Sequence, residues 1–87
     1  MKADKTKAIR LLKTARGQVD GIIKMVEEDR YCVDISYQLL AAQSLLKRVN
    51  KEIIGAHMKH CVHDAINNDD ADKKIDEMIS IIDELMK

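Results

Sequence analysis

Proline, phenylalanine and tryptophan are absent from this 87-residue chain, glycine occurs three times, and the only aromatic side chains are Tyr31 and Tyr37. Leu, Ile, Met, Ala, Lys and Glu dominate what remains, which is the composition of helices. A chain of this length buries only about 60% of its unfolded surface, and without large aromatics its core is thin. It is therefore expected to complete that core with another copy of itself. Two cysteines, Cys32 and Cys61, allow one disulfide at most. The start of the chain carries no apolar segment of the kind that precedes secretion, and no purely apolar run is long enough to span a membrane. A reducing cytoplasmic setting follows, where paired cysteines more often bind metal or do redox chemistry than staple a fold. No nucleophile has an evident base beside it and no phosphate-binding loop is present, so an enzyme is not expected.

The chain also lacks net charge, but the balance hides an asymmetry. Residues 1–24 carry seven Lys or Arg against Asp4 and Asp20, whereas from Asp64 onward eight Asp or Glu face Lys73, Lys74 and Lys87. A basic half of this kind keeps nucleic acid among the candidate partners.

No repeat or low-complexity linker divides the chain, and residues 1–87 read as one all-α domain. The first helix is expected from about Asp4 to Glu28. Ala8, Leu12, Ala15, Val19, Ile22 and Val26 step by four and three, the spacing of one buried stripe. At 100° per residue the opposite face collects Lys7, Arg10, Lys13, Gly17, Gln18, Gly21 and Lys24. Each glycine there costs a helix about 1 kcal/mol relative to Ala; close packing by a neighbouring helix or close approach of a phosphate backbone would account for it. A turn is expected near Asp29 and Arg30. The second helix then runs from about Cys32 to Ala65. Ile35, Leu39, Ala42, Leu46, Val49, Ile53 and Ala56 form a coiled-coil-like seam, widened by Leu40, Ile54, Met58 and Val62. A short third helix, capped by Asp69 or Asp70, extends to about Met86 with Ile75, Met78, Ile82 and Leu85 inward. Two long helices and one short one make the protomer.

The stretch HMKHCVH, residues 57–63, holds every histidine and one of the two cysteines. His57 and Cys61 are four apart and share a helix face; His60 lies at the edge of that arc and His63 points away. His60 and His63 are left as ordinary helix residues. Two ligands do not hold an ion tightly, and the remaining thiol is Cys32. Along one unbroken helix the 25 steps from Cys32 to His57 span roughly 37 Å, so the three cannot meet within a chain. They can meet if two copies pack their second helices antiparallel, with the two-fold axis near Leu45 and Leu46 in the apolar seam. Two thiolates and one imidazole suit a soft, low-coordinate ion such as Cu(I). Zn(II) would need a fourth ligand, from Asp64, Glu77 or water.

RGQVDGIIKMVEEDRYCVDISYQLLAAQ followed by HMKHCV resembles the CsoR/RcnR/FrmR family of bacterial metal-sensing repressors, from about residue 6 to the third helix. The resemblance implies a dimer with an antiparallel helix pair, a dimer of dimers, and an apo form that binds operator DNA and releases it when the ligand arrives. The pattern Cys32, His57, Cys61 is similar to that of the copper-sensing branch. Nickel and cobalt sensors differ in having a histidine at the last position and another near the N-terminus. The resemblance also implies that Tyr31 and Glu77 hydrogen-bond the non-ligating nitrogen of His57, which would orient the ring.

No recognition-helix arrangement is apparent. Clustering and resemblance together assign phosphate contact to Arg10, Lys13 and Arg16, with Gln18 as a base or phosphate contact and Lys47 and Arg48 as additions from the second helix. The expected function is Cu(I)-responsive repression, with copper-resistance genes released when Cu(I) binds. A persulfide- or thiol-responsive repressor forming a Cys32–Cys61 bridge between chains is an alternative. So is a copper chaperone or storage protein, which needs no DNA face.

Overall fold

A computed structural model of the chain describes residues 1–65 and 71–87, with the side chains of 62–65 and 71 outside the description. Three helices, α1 (Lys5–Glu27), α2 (Cys32–Ala65) and α3 (Ala71–Leu85), make up the described fold. Both long helices match the expected spans within a residue. The expected cap of α3, Asp69 or Asp70, lies outside the described residues.

Each boundary has a local cause. Asp4 caps α1, its carboxylate accepting from the backbone N–H of Lys7 at 3.1 Å. This satisfies one of the donors that a helix start leaves open. At the other end the N–H of Arg30 donates to the carbonyl of Met25 and that of Asp29 to the carbonyl of Val26. These two bonds form the Schellman closure, and they put Asp29 in the left-handed region at φ 52°. That region costs a residue with a Cβ about 1–2 kcal/mol, against about 0.4–1 kcal/mol of extra unfolded-chain entropy for glycine. Asp29→Gly is therefore expected to stabilise the chain by about 0.5–1 kcal/mol, read as a higher denaturant midpoint at unchanged slope.

α1 and α2 form an antiparallel hairpin and α3 folds back on the second half of α2. The body measures 56 × 27 × 12 Å. Its smallest dimension is about one helix diameter, roughly 10–12 Å, so the chain is a layer one helix thick. Burial is confined to the seams between neighbours. Ala8, Leu11, Ala15 and Ile22 from α1 meet Ala42 and Val49 from α2, and Cys61 and Met78 are buried farther along. Small residues such as Ala8, Ala15 and Ala42 let the two backbones approach closely.

The layer corrects part of the expected stripe. Periodicity puts Leu12, Val19, Val26, Leu39 and Leu46 inward with Ala8 and Ala42, but each of the five is exposed in the single chain, while Leu11 is buried in place of Leu12. One residue turns a helix face by 100°, so α1 carries two adjacent apolar arcs. One packs on α2; the other, with Val19, Ile23 and Val26, joins Leu39 and Leu46 to line an apolar groove of about 370 Å³. In α3, Met78 is buried as expected. Ile75 and Ile82 are exposed instead, and Leu85 and Ile81 are half-buried.

Candidate metal centre and basic face

The helical repeat brings His57 and Cys61 together one turn apart near the C-terminal end of α2. The Cys61 Sγ lies 3.5 Å from His57 Nε2. Cys61 is buried and His57 is exposed. His57 lines a cavity of about 370 Å³ with Ile53, Ile54, Ile81, Met1 and Lys2. A buried thiol beside an exposed imidazole sets two soft donors together that could hold part of a metal ion's coordination shell. The fit to one ion is direct, since 3.5 Å is spanned by two ligand bonds of about 2.0–2.3 Å meeting at an open angle.

Cys32 is the first residue of α2 and its thiol is free and exposed. The unbroken helix puts it roughly 37 Å from His57. The structure thus brings two of the three expected ligands together and keeps the third at the far end of the same helix. Among the described residues of one chain, no three His, Cys, Asp or Glu cluster around a common point. Tyr31, beside Cys32, is exposed, and Glu77 is exposed on α3. Within the single chain no described hydrogen bond joins either of them to His57. His60 is half-buried. The side chains of His63 and of Asp64, one of the suggested Zn(II) ligands, lie outside the described residues.

The expected DNA contacts occupy two surfaces. Arg10, Lys13 and Arg16 are exposed on α1, and Lys47 and Arg48 on α2. Arg10 and Lys13 line an open groove with Thr6, Ile9 and Thr14. Gly17 and Gly21 on this side face open space, where an added Cβ would meet nothing within 4 Å. Packing inside the chain therefore does not account for these glycines.

Gln18 does not lie on the basic face expected for it; the helical repeat itself sets it only about 40° from buried Ile22. It is half-buried, and its amide oxygen is shielded with no hydrogen-bond partner. At 100° per residue it borders Leu11, Ala15 and Ile22 on the seam side of α1. Helical periodicity is silent on the ion pair between Lys7 and Glu52, 3.0 Å long, which crosses from α1 to α2. The 45-residue separation leaves no local signal for it.

Residues 4–84 match the model of a family described as metal-sensitive transcriptional repressor. The chain belongs to that family. Curated members include the copper-sensing transcriptional repressor CsoR of Bacillus subtilis (strain 168), 43% identical over 76 residues that cover 87% of this chain and 75% of that one. CsoR of Mycobacterium ulcerans (strain Agy99) is 44% identical over 78 residues, 90% of this chain and 67% of that one. Among solved members, the copper-sensing repressor CsoR with Cu(I) from Geobacillus thermodenitrificans NG80-2 is 33% identical. It superposes with a TM-score of 0.84 over 100% of this chain and 94% of its own. The nickel-responsive transcriptional regulator InrS superposes with a TM-score of 0.82 at 25% identity, over 98% of this chain and 96% of its own. The three-helix architecture and the resemblance to metal-sensing repressors are both borne out. The copper-sensing CsoR and the nickel-responsive InrS both share this three-helix fold, so the fold alone does not distinguish the metal.

Proposed function

We propose that this protein is a Cu(I)-responsive transcriptional repressor, a regulator rather than an enzyme, whose sensing site is shared between two chains. The observation that carries this reading is the half-site: His57 and Cys61 3.5 Å apart at one end of α2 and a free, exposed Cys32 at the other. An antiparallel pairing of two α2 helices sets Cys32 of one protomer beside His57 and Cys61 of its partner. The same pairing covers the apolar groove lined by Val19, Ile23, Val26, Leu39 and Leu46, which a layer one helix thick leaves open. Two such dimers form the tetramer.

The donor set is soft, and two thiolates with one imidazole favour Cu(I) over the harder divalent ions. Cys32 and Cys61 supply charge, and His57 supplies a neutral donor. Tyr31 and Glu77 hold the other ring nitrogen of His57 and so tie ligand binding to the position of α3. Arg10, Lys13 and Arg16, with Lys47 and Arg48, meet DNA phosphates in the apo form. Drawing the ends of the two α2 helices together shifts these faces relative to one another, and operator DNA is released. No described helix is long and apolar enough to cross a membrane, and the cytoplasm is the setting in which both thiols stay available.

A titration of duplex DNA with the reduced protein, with and without one Cu(I) per chain, tests the reading. Coupling of the usual size predicts a loss of DNA affinity of about 5–150-fold on Cu(I) loading. Equal affinity in the two states contradicts it. The exposed Cys32 thiol supports one second reading, a thiol-responsive repressor of the same fold. Its signature is a Cys32–Cys61 bridge between chains, seen by mass spectrometry without reduction after persulfide treatment, together with DNA release by persulfide and none by Cu(I).

A further inference from the structure

Glu52 is the only carboxylate on α2 between Asp34 and Asp64, a stretch that also holds Lys47, Arg48, Lys51 and Lys59. Its carboxylate oxygen accepts from the Lys7 ammonium at 3.0 Å. Lys7 stands one turn before Arg10 on α1, and Arg48 one turn before Glu52 on α2, so the pair lies between the basic residues of α1 and those of α2. Beside it, Lys51, Glu52, Gly55, Ala56 and Lys59 line a cavity of about 280 Å³. One anion already sits in this basic region, and it belongs to the protein.

Both partners are partly open to water, with 35% of the Lys7 side chain and 44% of the Glu52 side chain exposed. A pair this exposed adds little to folding and its charges exchange readily with other ions. A phosphate oxygen offers the lysine the same contact as a carboxylate oxygen. We propose that Lys7 is a further DNA-contacting residue and that Glu52 is an internal competitor for it, displaced by a backbone phosphate when the repressor binds. Once displaced, Glu52 stands next to the duplex and recruits a cation, offsetting the counterion that Lys7 releases. Glu52 thus lowers both the affinity and the salt dependence of the apo complex. This inference rests on the DNA-binding reading above.

The test uses the full-length reduced apo protein and a duplex that the wild type enriches from a random pool, with affinity measured across a salt series. Glu52→Gln is expected to bind about three- to tenfold tighter at low salt, with a log–log salt slope steeper by roughly 0.9 for each Lys7 engaged. Adding Lys7→Met to Glu52→Gln is expected to remove the whole gain. Helix content by circular dichroism and one Cu(I) bound per chain establish that each variant is folded. Unchanged affinity and slope in Glu52→Gln overturn the proposal, as expected of a pair that only staples α1 to α2. A gain that persists in Glu52→Gln/Lys7→Met overturns it too, because the effect is then the long-range loss of one negative charge. Failure of the wild type to enrich or bind any duplex overturns the DNA-binding reading and this proposal together, whereas the other two results overturn this proposal alone.

Discussion

Cys32→Ala is expected to weaken Cu(I) binding by more than about a hundredfold and to abolish Cu(I)-dependent release of DNA, while leaving the fold and the apo DNA affinity in place. Loss of a hydrogen-bond partner behind a metal ligand already costs about 10–100-fold, and removing one of three ligands exceeds that. The substitution is informative because Cys32 is exposed at the start of α2. An exposed position away from caps and cores changes stability by about 0.5 kcal/mol or less. Cys61→Ala would be less clean, since Cys61 is also part of the buried seam. A competition titration with a Cu(I) chelator checks the affinity, and X-ray absorption checks the number of sulfurs at copper, expected to fall from two to one. If Cys32→Ala binds Cu(I) as tightly as the wild type, the far end of α2 takes no part in sensing.

The second large effect concerns the other surface. Arg10→Ala/Lys13→Ala/Arg16→Ala is expected to lower DNA affinity at least about a hundredfold near physiological salt. The salt slope is expected to flatten by about 0.9 for each phosphate that these side chains no longer neutralise. Cu(I) stoichiometry and affinity are expected to stay as in the wild type. All three side chains are exposed on α1, and none of them forms an ion pair among the described residues. Their removal therefore takes nothing from the seam. A copper chaperone or storage protein with the same ligands predicts no change in any function on losing these charges. Filter binding or fluorescence anisotropy over a salt series, run beside the chelator titration, separates the two.

Much of the fold is legible in the sequence because its signals are local. Asp4, the turn at Asp29 and Arg30, and the start of α2 at Cys32 are set by capping and by interruption of the apolar period, which act over a few residues. The pairing of His57 with Cys61 is equally local, since four residues make about one turn. The features that periodicity does not reveal depend on which helix packs where. Leu11 and Leu12 are both apolar and point 100° apart; only the register of the α1–α2 hairpin decides that Leu11 enters the seam. The same register brings Lys7 to Glu52 across 45 residues. The exposed Val19, Val26, Leu39 and Leu46 have a different cause. Their hydrophobic character is plain in the sequence, but a stripe does not say whether it will be covered by its own chain or by another copy.

The central claim is that each sensing site takes Cys32 from one chain and His57 and Cys61 from its partner. Mixing Cys32→Ala chains with Cys61→Ala chains tests it most directly. In an antiparallel heterodimer one site keeps all three ligands and the other keeps only His57. After unfolding the two variants together and refolding them, the mixture is expected to regain tight Cu(I) binding at one site per heterodimer, with wild-type X-ray absorption at that site, while each variant alone binds weakly. Purified heterodimer that binds Cu(I) no more tightly than the separate variants would contradict the shared site.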